Sequence, residues 1–203
     1  MITIIDYGMG NLGSIRNMIK KLGYHSEITS DPEVIAQAKK LILPGVGKFD
    51  RAMGNLAHLN LINIIQNKAV EGTPMLGICL GMQLLADSSE EGTLKGLGII
   101  PGEVKRFIVP KELKVPHMGW NLVHYRKDSP LFANFEDLGE ARFYFVHTYK
   151  YLCQNQDQIL ATTNYGGDFT CALQKGNIMG VQFHPEKSHF FGMNLLKNFI
   201  EKI

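Results

Sequence analysis

Between residues 74 and 84 the chain reads Pro74-Met75-Leu76-Gly77-Ile78-Cys79-Leu80-Gly81-Met82-Gln83-Leu84, and two kinds of structure meet inside it. The apolar run Pro74-Met75-Leu76 has the composition of the last residues of a buried strand. Met82-Gln83-Leu84-Leu85-Ala86 has that of a helix start. Cys79 stands at the corner with a glycine two residues away on each side, the form of a nucleophile elbow. Such a corner forces its central residue into a strained conformation, and flanking glycines keep other side chains clear of it. Amides of the new helix's first turn then point at the sulfur, favouring thiolate and any oxyanion formed beside it. A buried cysteine at a glycine-rich turn would show the same local sequence. The rest of the chain has to decide.

Upstream of the corner, strand and helix alternate. Residues 2–5 (Ile-Thr-Ile-Ile) form a short β-branched strand, and 14–22 have helical spacing with Ser14 at the N-cap and Gly23 as the stop. A strand at 26–29, a short helix at 32–39, a buried strand at 41–43 and a helix at 55–70 lead to the strand 75–78. This alternation predicts an α/β fold with a parallel sheet covered on both faces. Such sheets bind ligands beyond the carboxyl ends of their strands, where Pro44-Gly45-Val46-Gly47 and Cys79 both fall. After Gly92 the texture changes to short β-rich pieces at 104–109, 121–125, 142–151, 158–163, 170–174 and 178–183, expected as hairpins and late strands added to the first sheet. Residues 194–203 close the chain as an amphipathic helix, with Leu195, Leu196, Phe199 and Ile200 on one face.

With 203 residues, 45% of them hydrophobic and 20% charged, the chain suits one domain, 1–203, with a real core. A net charge of +2 without blocks of like charge gives no reason for a nucleic-acid partner. Cys79, Cys153 and Cys171 are an odd number without paired spacing, which argues against a disulfide framework and for a reducing, cytoplasmic setting. The opening residues are not expected to be a signal peptide, and no apolar run approaches membrane-spanning length.

Gly8-Met9-Gly10-Asn11-Leu12-Gly13 matches G-x-G-x-x-G between a strand and a helix, with Glu27 and Asp31 at a tolerable distance. That is the outline of a dinucleotide-binding fingerprint, and equally of a glycine corner that meets no phosphate. A thiol nucleophile needs a base, and the base needs a group to orient it. Val181-Gln182-Phe183-His184-Pro185-Glu186-Lys187 offers both, because Pro185 biases His184 toward an extended conformation and residues two apart then share a side. Glu186 can accept from one imidazole nitrogen while the other meets Cys79, a Cys-His-Glu relay.

GICLGMQLL, FHPEKS and PGVG resemble the nucleophile, His-Glu and oxyanion motifs of class I glutamine amidotransferases. The likeness runs from IIDYGMGN to the final helix. Within that family IIDYGMGNLGS, LPGVG, KVPHMGWN and YFVHTY resemble the branch that supplies the glutaminase subunit of imidazole glycerol phosphate synthase. The resemblance implies a flavodoxin-like three-layer sandwich, with a mostly parallel central sheet and added antiparallel strands in the second half. It implies hydrolysis of glutamine to glutamate and ammonia by Cys79, His184 and Glu186, without metal or organic cofactor. It also assigns the Gly8-to-Gly13 corner to support of the site and of the partner contact.

The Leu80 amide, following the nucleophile, would be one oxyanion donor, and the family match makes Val46 the other. Gln83, one helical turn beyond Cys79, would contact the glutamine, together with Gly45, Gly47, Thr148 and Tyr149. Asn11, Trp120, Tyr144 and Lys187 match positions at the synthase interface. The implied partner is a (β/α)8 cyclase on another polypeptide, forming a heterodimer, with no membrane contact. Gly47-Lys48-Phe49-Asp50-Arg51-Ala52-Met53 and Ser188-His189-Phe190-Phe191-Gly192-Met193 equally resemble a paralogous branch that feeds ammonia to a surface-polysaccharide sugar synthase.

Overall fold

The computed structural model describes residues 1–126 and 128–203. Its first half builds β1 (Ile2–Ile5), α1 (Leu12–Lys21), β2 (Ser26–Thr29), α2 (Pro32–Ala36), β3 (Leu41–Gly45), α3 (Phe49–His58), α4 (Ile62–Val70), β4 (Met75–Cys79) and α5 (Leu80–Leu84). The second half adds β5 (Ser88–Ser89), β6 (Gly102–Arg106), β7 (His117–Leu122), β8 (His124–Tyr125), β9 (Arg142–His147) and β10 (Tyr149–Cys153). It ends with β11 (Ile159–Asn164), β12 (Asp168–Lys175), β13 (Ile178–Val181) and α6 (His189–Lys202).

The strands β2-β1-β3-β4-β13 pair side by side and in parallel. Beyond β13 the pairing turns antiparallel through β12, β10 and β6. β5 runs parallel to β6 at the edge, and β11 branches from β12 to reach β8. β1, β3, β4 and β13 are buried along their whole length, which is why they read as unbroken apolar runs. Their side chains nevertheless divide with period two. Ile42, Leu76, Ile78 and Met179 join Ile15, Ile19, Leu195 and Phe199 of α1 and α6 on one face. Leu41, Leu43, Met75 and Ile178 join Phe49, Leu56, Ile65 and Met82 of α3, α4 and α5 on the other. The result is a three-layer α/β architecture, parallel in its first half with antiparallel strands added in its second.

Several boundaries differ from the sequence expectation, each for a local reason. The helix expected at 55–70 is two helices, broken at Asn60 with φ +58°. Leu56 and Leu61 both point into the core, and a spacing of five places them about 140° apart on an unbroken helix. The strand expected at 142–151 changes sheets at Thr148. β9 pairs with β7 in a separate two-stranded sheet, while β10 pairs with β6 in the main one. The late strands are therefore not all added to the first sheet. α1 begins at Leu12 with Asn11 at the N-cap, so Ser14 lies inside the first turn and caps nothing. α2 stops at Ala36 rather than at residue 39, and α6 begins five residues earlier than expected, at His189. Gly192 allows that early start, since a Cβ there would sit 1.8 Å from Pro185 O.

Candidate active site

β3 and β4 end together, with Gly45 directly opposite Cys79 in the ladder. Cys79 closes β4 and caps α5 with φ +55° and ψ −110°, a conformation that costs about 1–3 kcal/mol for a residue with a Cβ. The flanking glycines permit the corner. A Cβ on Gly81 would lie 1.8 Å from Leu43 O, and one on Gly77 would lie 2.7 Å from Gly81 O. Gly45 is equally confined, its imagined Cβ falling 2.5 Å from Tyr7 Oη and 2.9 Å from Leu80 Cβ.

Tyr7 donates to Pro44 O at 2.5 Å, and Asn55 Nδ2 donates to Tyr7 O at 2.9 Å. Burial, reinforced by Cys79, pushes the Tyr7 phenol far above its ordinary range, so it stays a donor. Gly10, at φ +106°, brings its backbone against Pro44 and Gly45. Of the three glycines that imitate a nucleotide fingerprint, Gly10 is the one that packs against Pro44 and Gly45. At the tip of the Pro44–Gly47 segment Gly47 adopts φ +117° and Val46 is 42% exposed.

His184 is extended, with φ −104° and ψ 95°, as the following proline requires. Its Nδ1 meets Glu186 Oε1 at 2.8 Å, and both side chains are 2% exposed. The turn is stapled to β9: His184 N donates to Tyr144 O, Ser188 Oγ donates to His184 O, and Tyr144 N donates to Ser188 Oγ. The second imidazole nitrogen, Nε2, is buried without a hydrogen-bond partner among the described residues, free to engage the sulfur. Burial works against a charge on this ring, but Cys79 and Glu186 outweigh it and hold its pKa up, at about 10.

Cys79, His184, Val46, Gly47, Leu80, Gln83, Thr148 and Tyr149 line one cavity of about 300 Å³. Gly45 stands behind it, under Leu80. A larger hollow of about 480 Å³ between Gln66, Val70, Leu97 and Lys175 carries neither a nucleophile nor a base. Gln83 is buried in the cavity wall, its amide nitrogen shared between Gln182 Oε1 (2.9 Å) and Tyr149 O (3.3 Å).

Three residues of the site carried no assignment from sequence. Glu91 lines the cavity as its one acidic side chain and accepts from Phe49 N at 2.9 Å. Its loop is anchored on Asp50, which accepts from Thr93 N and Leu94 N. Gln182, in the His184 motif, donates to Cys79 Sγ at 3.8 Å. His147 lines the cavity and contacts His117 at 3.0 Å, and burial lowers their pKa values to about 3 and about 4. Nothing in local spacing singles out Glu91, twelve residues past the elbow; Gln182 was legible only as a neighbour of His184.

Outside the cavity, Trp120, Tyr144 and Lys187 form one patch. Trp120 is 45% exposed and stacks on His189 at 5.4 Å, and Lys187 Nζ lies 5.5 Å from the Tyr144 ring centre. Asn11 is exposed at the start of α1, and Ser14, Asn17 and Lys21 of that helix border a groove shared with Lys187 and His189.

A thiol, an imidazole and a carboxylate gathered at the strand ends of an α/β sheet are the arrangement of thiol-dependent acyl-transfer proteins. The family model for "Glutamine amidotransferase class-I" matches residues 3–203. The chain belongs to the class-I glutamine amidotransferase family. Over 203 residues it is 56% identical to imidazole glycerol phosphate synthase subunit HisH 2 of Methanococcus maripaludis, covering all of both chains. It is 49% identical to subunit HisH of Moorella thermoacetica, covering 100% of this chain and 95% of that one. A solved glutamine amidotransferase superposes with TM-score 0.75 at 18% identity over 99% of this chain and 98% of that chain. A solved glutamine amidotransferase of Thermotoga maritima gives 0.66 at 19% identity, covering 98% of this chain and 80% of that one. No helix among the described residues is long and apolar enough to cross a membrane.

Proposed function

We propose that this chain is the glutaminase subunit of imidazole glycerol phosphate synthase. It would hydrolyse the side-chain amide of glutamine and pass the ammonia to a (β/α)8 cyclase partner in histidine biosynthesis. The observation that carries this reading is the buried His184–Glu186 pair facing a strained Cys79 inside one cavity, in a chain 56% identical to a subunit of that name.

In this mechanism His184 takes the proton of the Cys79 thiol, and the resulting thiolate attacks the carboxamide carbon. Negative charge moves to the amide oxygen, met by the backbone N–H groups of Leu80 and Val46. The C–N bond then breaks as the His184 imidazolium gives its proton to the leaving nitrogen, so that ammonia departs and a γ-glutamyl thioester remains. Water attacks the thioester, His184 takes its proton, and the electron pair of the C–S bond returns to sulfur. Glu186 holds the Nδ1–H tautomer throughout. Glu91 suits the substrate's α-ammonium group, and Gln83, Thr148 and Tyr149 complete the wall around its backbone. The half-exposed Trp120, with Tyr144, Lys187 and the nearby start of α1, is the face offered to the cyclase.

The deciding experiment reconstitutes the synthase with Cys79→Ala. Glutamine-dependent product formation should fall by more than about a thousandfold, while the rate with ammonium salts stays at the wild-type level. Survival of the glutamine-dependent rate would remove the assignment.

A further inference from the structure

Gln182 follows β13 beside the elbow and is wholly buried. Which end of its amide faces the sulfur is fixed by a series of neighbours that begins at a backbone carbonyl. Tyr149 O accepts from His147 Nδ1 at 2.7 Å and from Gln83 Nε2 at 3.3 Å. A carbonyl oxygen can only accept, so Gln83 must present its NH2 group there. That same NH2 group reaches Gln182 at 2.9 Å, so Gln182 must present its oxygen to it. Its nitrogen is left pointing at Cys79 Sγ, 3.8 Å away.

The far side of Tyr149 O is polarised in the same sense. His147 donates from Nδ1, so its neutral ring accepts at Nε2 from His117 Nδ1, and His117 Nε2 accepts from Asn121 Nδ2 at 3.3 Å. Burial keeps both rings neutral, as this polarity needs.

We propose that Gln182 is a further catalytic residue: its side-chain amide donates to the Cys79 sulfur, with Gln83 and the Tyr149 carbonyl fixing the amide's direction. The proposal rests on Cys79 being the nucleophile. The donor is strongest in effect when the sulfur is an anion, before attack and again when the C–S bond breaks and its electron pair returns to sulfur. In the thioester the sulfur is neutral and the interaction weakens, so the amide favours the two states flanking the intermediate. The other titratable groups around the sulfur are His184, Tyr7, Glu91 and His147.

The test measures iodoacetamide alkylation of Cys79 against pH in the full chain, read on the Cys79 peptide by mass spectrometry so that Cys153 and Cys171 do not contribute. In Gln182→Met the midpoint should rise by about one pH unit, with alkylation at neutral pH about tenfold slower. Gln182→Glu, which keeps the volume and Gln83's acceptor but sets a carboxylate against the sulfur, should move it further. In the assembled synthase the glutamine-dependent kcat of Gln182→Met should fall about tenfold, with KM changed less than about twofold. Wild-type pH profiles in both variants, or a lowered kcat with an unmoved profile, overturn the role of Gln182 while Cys79→Ala remains inactive. Glutamine-dependent activity in Cys79→Ala would instead overturn the nucleophile itself. If Gln182→Met does not fold, Gln182→Leu, which likewise removes the donor without adding a charge, takes its place, and the same rise in midpoint is expected.

Discussion

Two glycine-to-alanine substitutions with opposite outcomes test whether the elbow is held by steric confinement. Gly81 lies in α5, where alanine gains about 1 kcal/mol of helix propensity over glycine. Its new Cβ would nevertheless stand 1.8 Å from Leu43 O and 2.8 Å from Leu43 C, both backbone atoms of β3. Relief requires β3 and the elbow to part by more than an ångström, beyond what a well-packed interior absorbs for the usual overpacking cost of about 1–3 kcal/mol. With the propensity gain subtracted, Gly81→Ala should destabilise by about 3 kcal/mol or more. For 203 residues the unfolding entropy is about 0.4 kcal/mol/K, so the melting temperature should fall by about 7 °C or more. Gly54 in α3 is the control: it is exposed, and a Cβ there meets nothing within 4 Å. Gly54→Ala should be stabilising by about 0.5–1 kcal/mol and raise the melting temperature by about 1–2 °C. Calorimetry on both variants, with glutaminase assays on the assembled synthase, measures the contrast. Equal melting temperatures for Gly81→Ala and wild type, with glutaminase activity intact, would refute the confinement of the elbow by β3.

Two further expectations concern pH. His147 and His117 have folded pKa values of about 3 and about 4, below the ordinary 6.5, so an unfolded chain binds their protons first. Their contribution to stability is present above pH 6.5 and is lost as pH falls toward 4. His147→Gln should therefore reduce the acid-side slope of unfolding free energy against pH by about one proton, and an unchanged slope would contradict the burial argument. His184 is the reverse case: its folded pKa of about 10 exceeds the ordinary 6.5, so its contribution is complete below pH 6.5 and lost as pH rises toward 10. Glu186→Gln should lower glutamine-dependent kcat by about a hundredfold or more, and its stability deficit should shrink across that alkaline window. A deficit constant with pH would mean that Glu186 does not charge His184.

The parallel half of the fold was legible because its strands are buried on both faces and carry their signal in unbroken β-branched and aliphatic runs. The elbow was legible because strain of this kind leaves glycines at fixed distances, here Gly77 and Gly81 around Cys79. His184 and Glu186 were legible because Pro185 narrows the backbone between them. The second half is less legible. From Arg142 to Cys153 the residues keep the composition of one strand, and only tertiary pairing with β7 and then β6 divides it at Thr148. The break at Asn60 was hidden because Leu56 and Leu61 are ordinary in a helix until the core requires both to face inward. Glu91 was invisible because its place in the cavity depends on Asp50, forty-one residues earlier, anchoring its loop.

The change of sheets at Thr148 is also what gives the site its reach. Up to His147 the chain belongs to the two-stranded sheet whose outer side carries Trp120 and Tyr144; from Tyr149 it belongs to the main sheet and walls the cavity. Val146 and His147 at the end of β9 and Thr148 between the two sheets all line the cavity. The His184 turn is held to this same strand, through Tyr144 O on one side and Ser188 on the other. An element that pressed on the Trp120–Tyr144 face would therefore act one hydrogen bond away from the imidazole and three residues away from His147. Cys79 answers to a further support, the β3 ending packed on Tyr7 and Gly10. Cys79 and His184 thus follow adjacent paired strands, β4 and β13, but the turns that carry them are braced differently, Cys79 against the end of β3 and His184 against the small sheet.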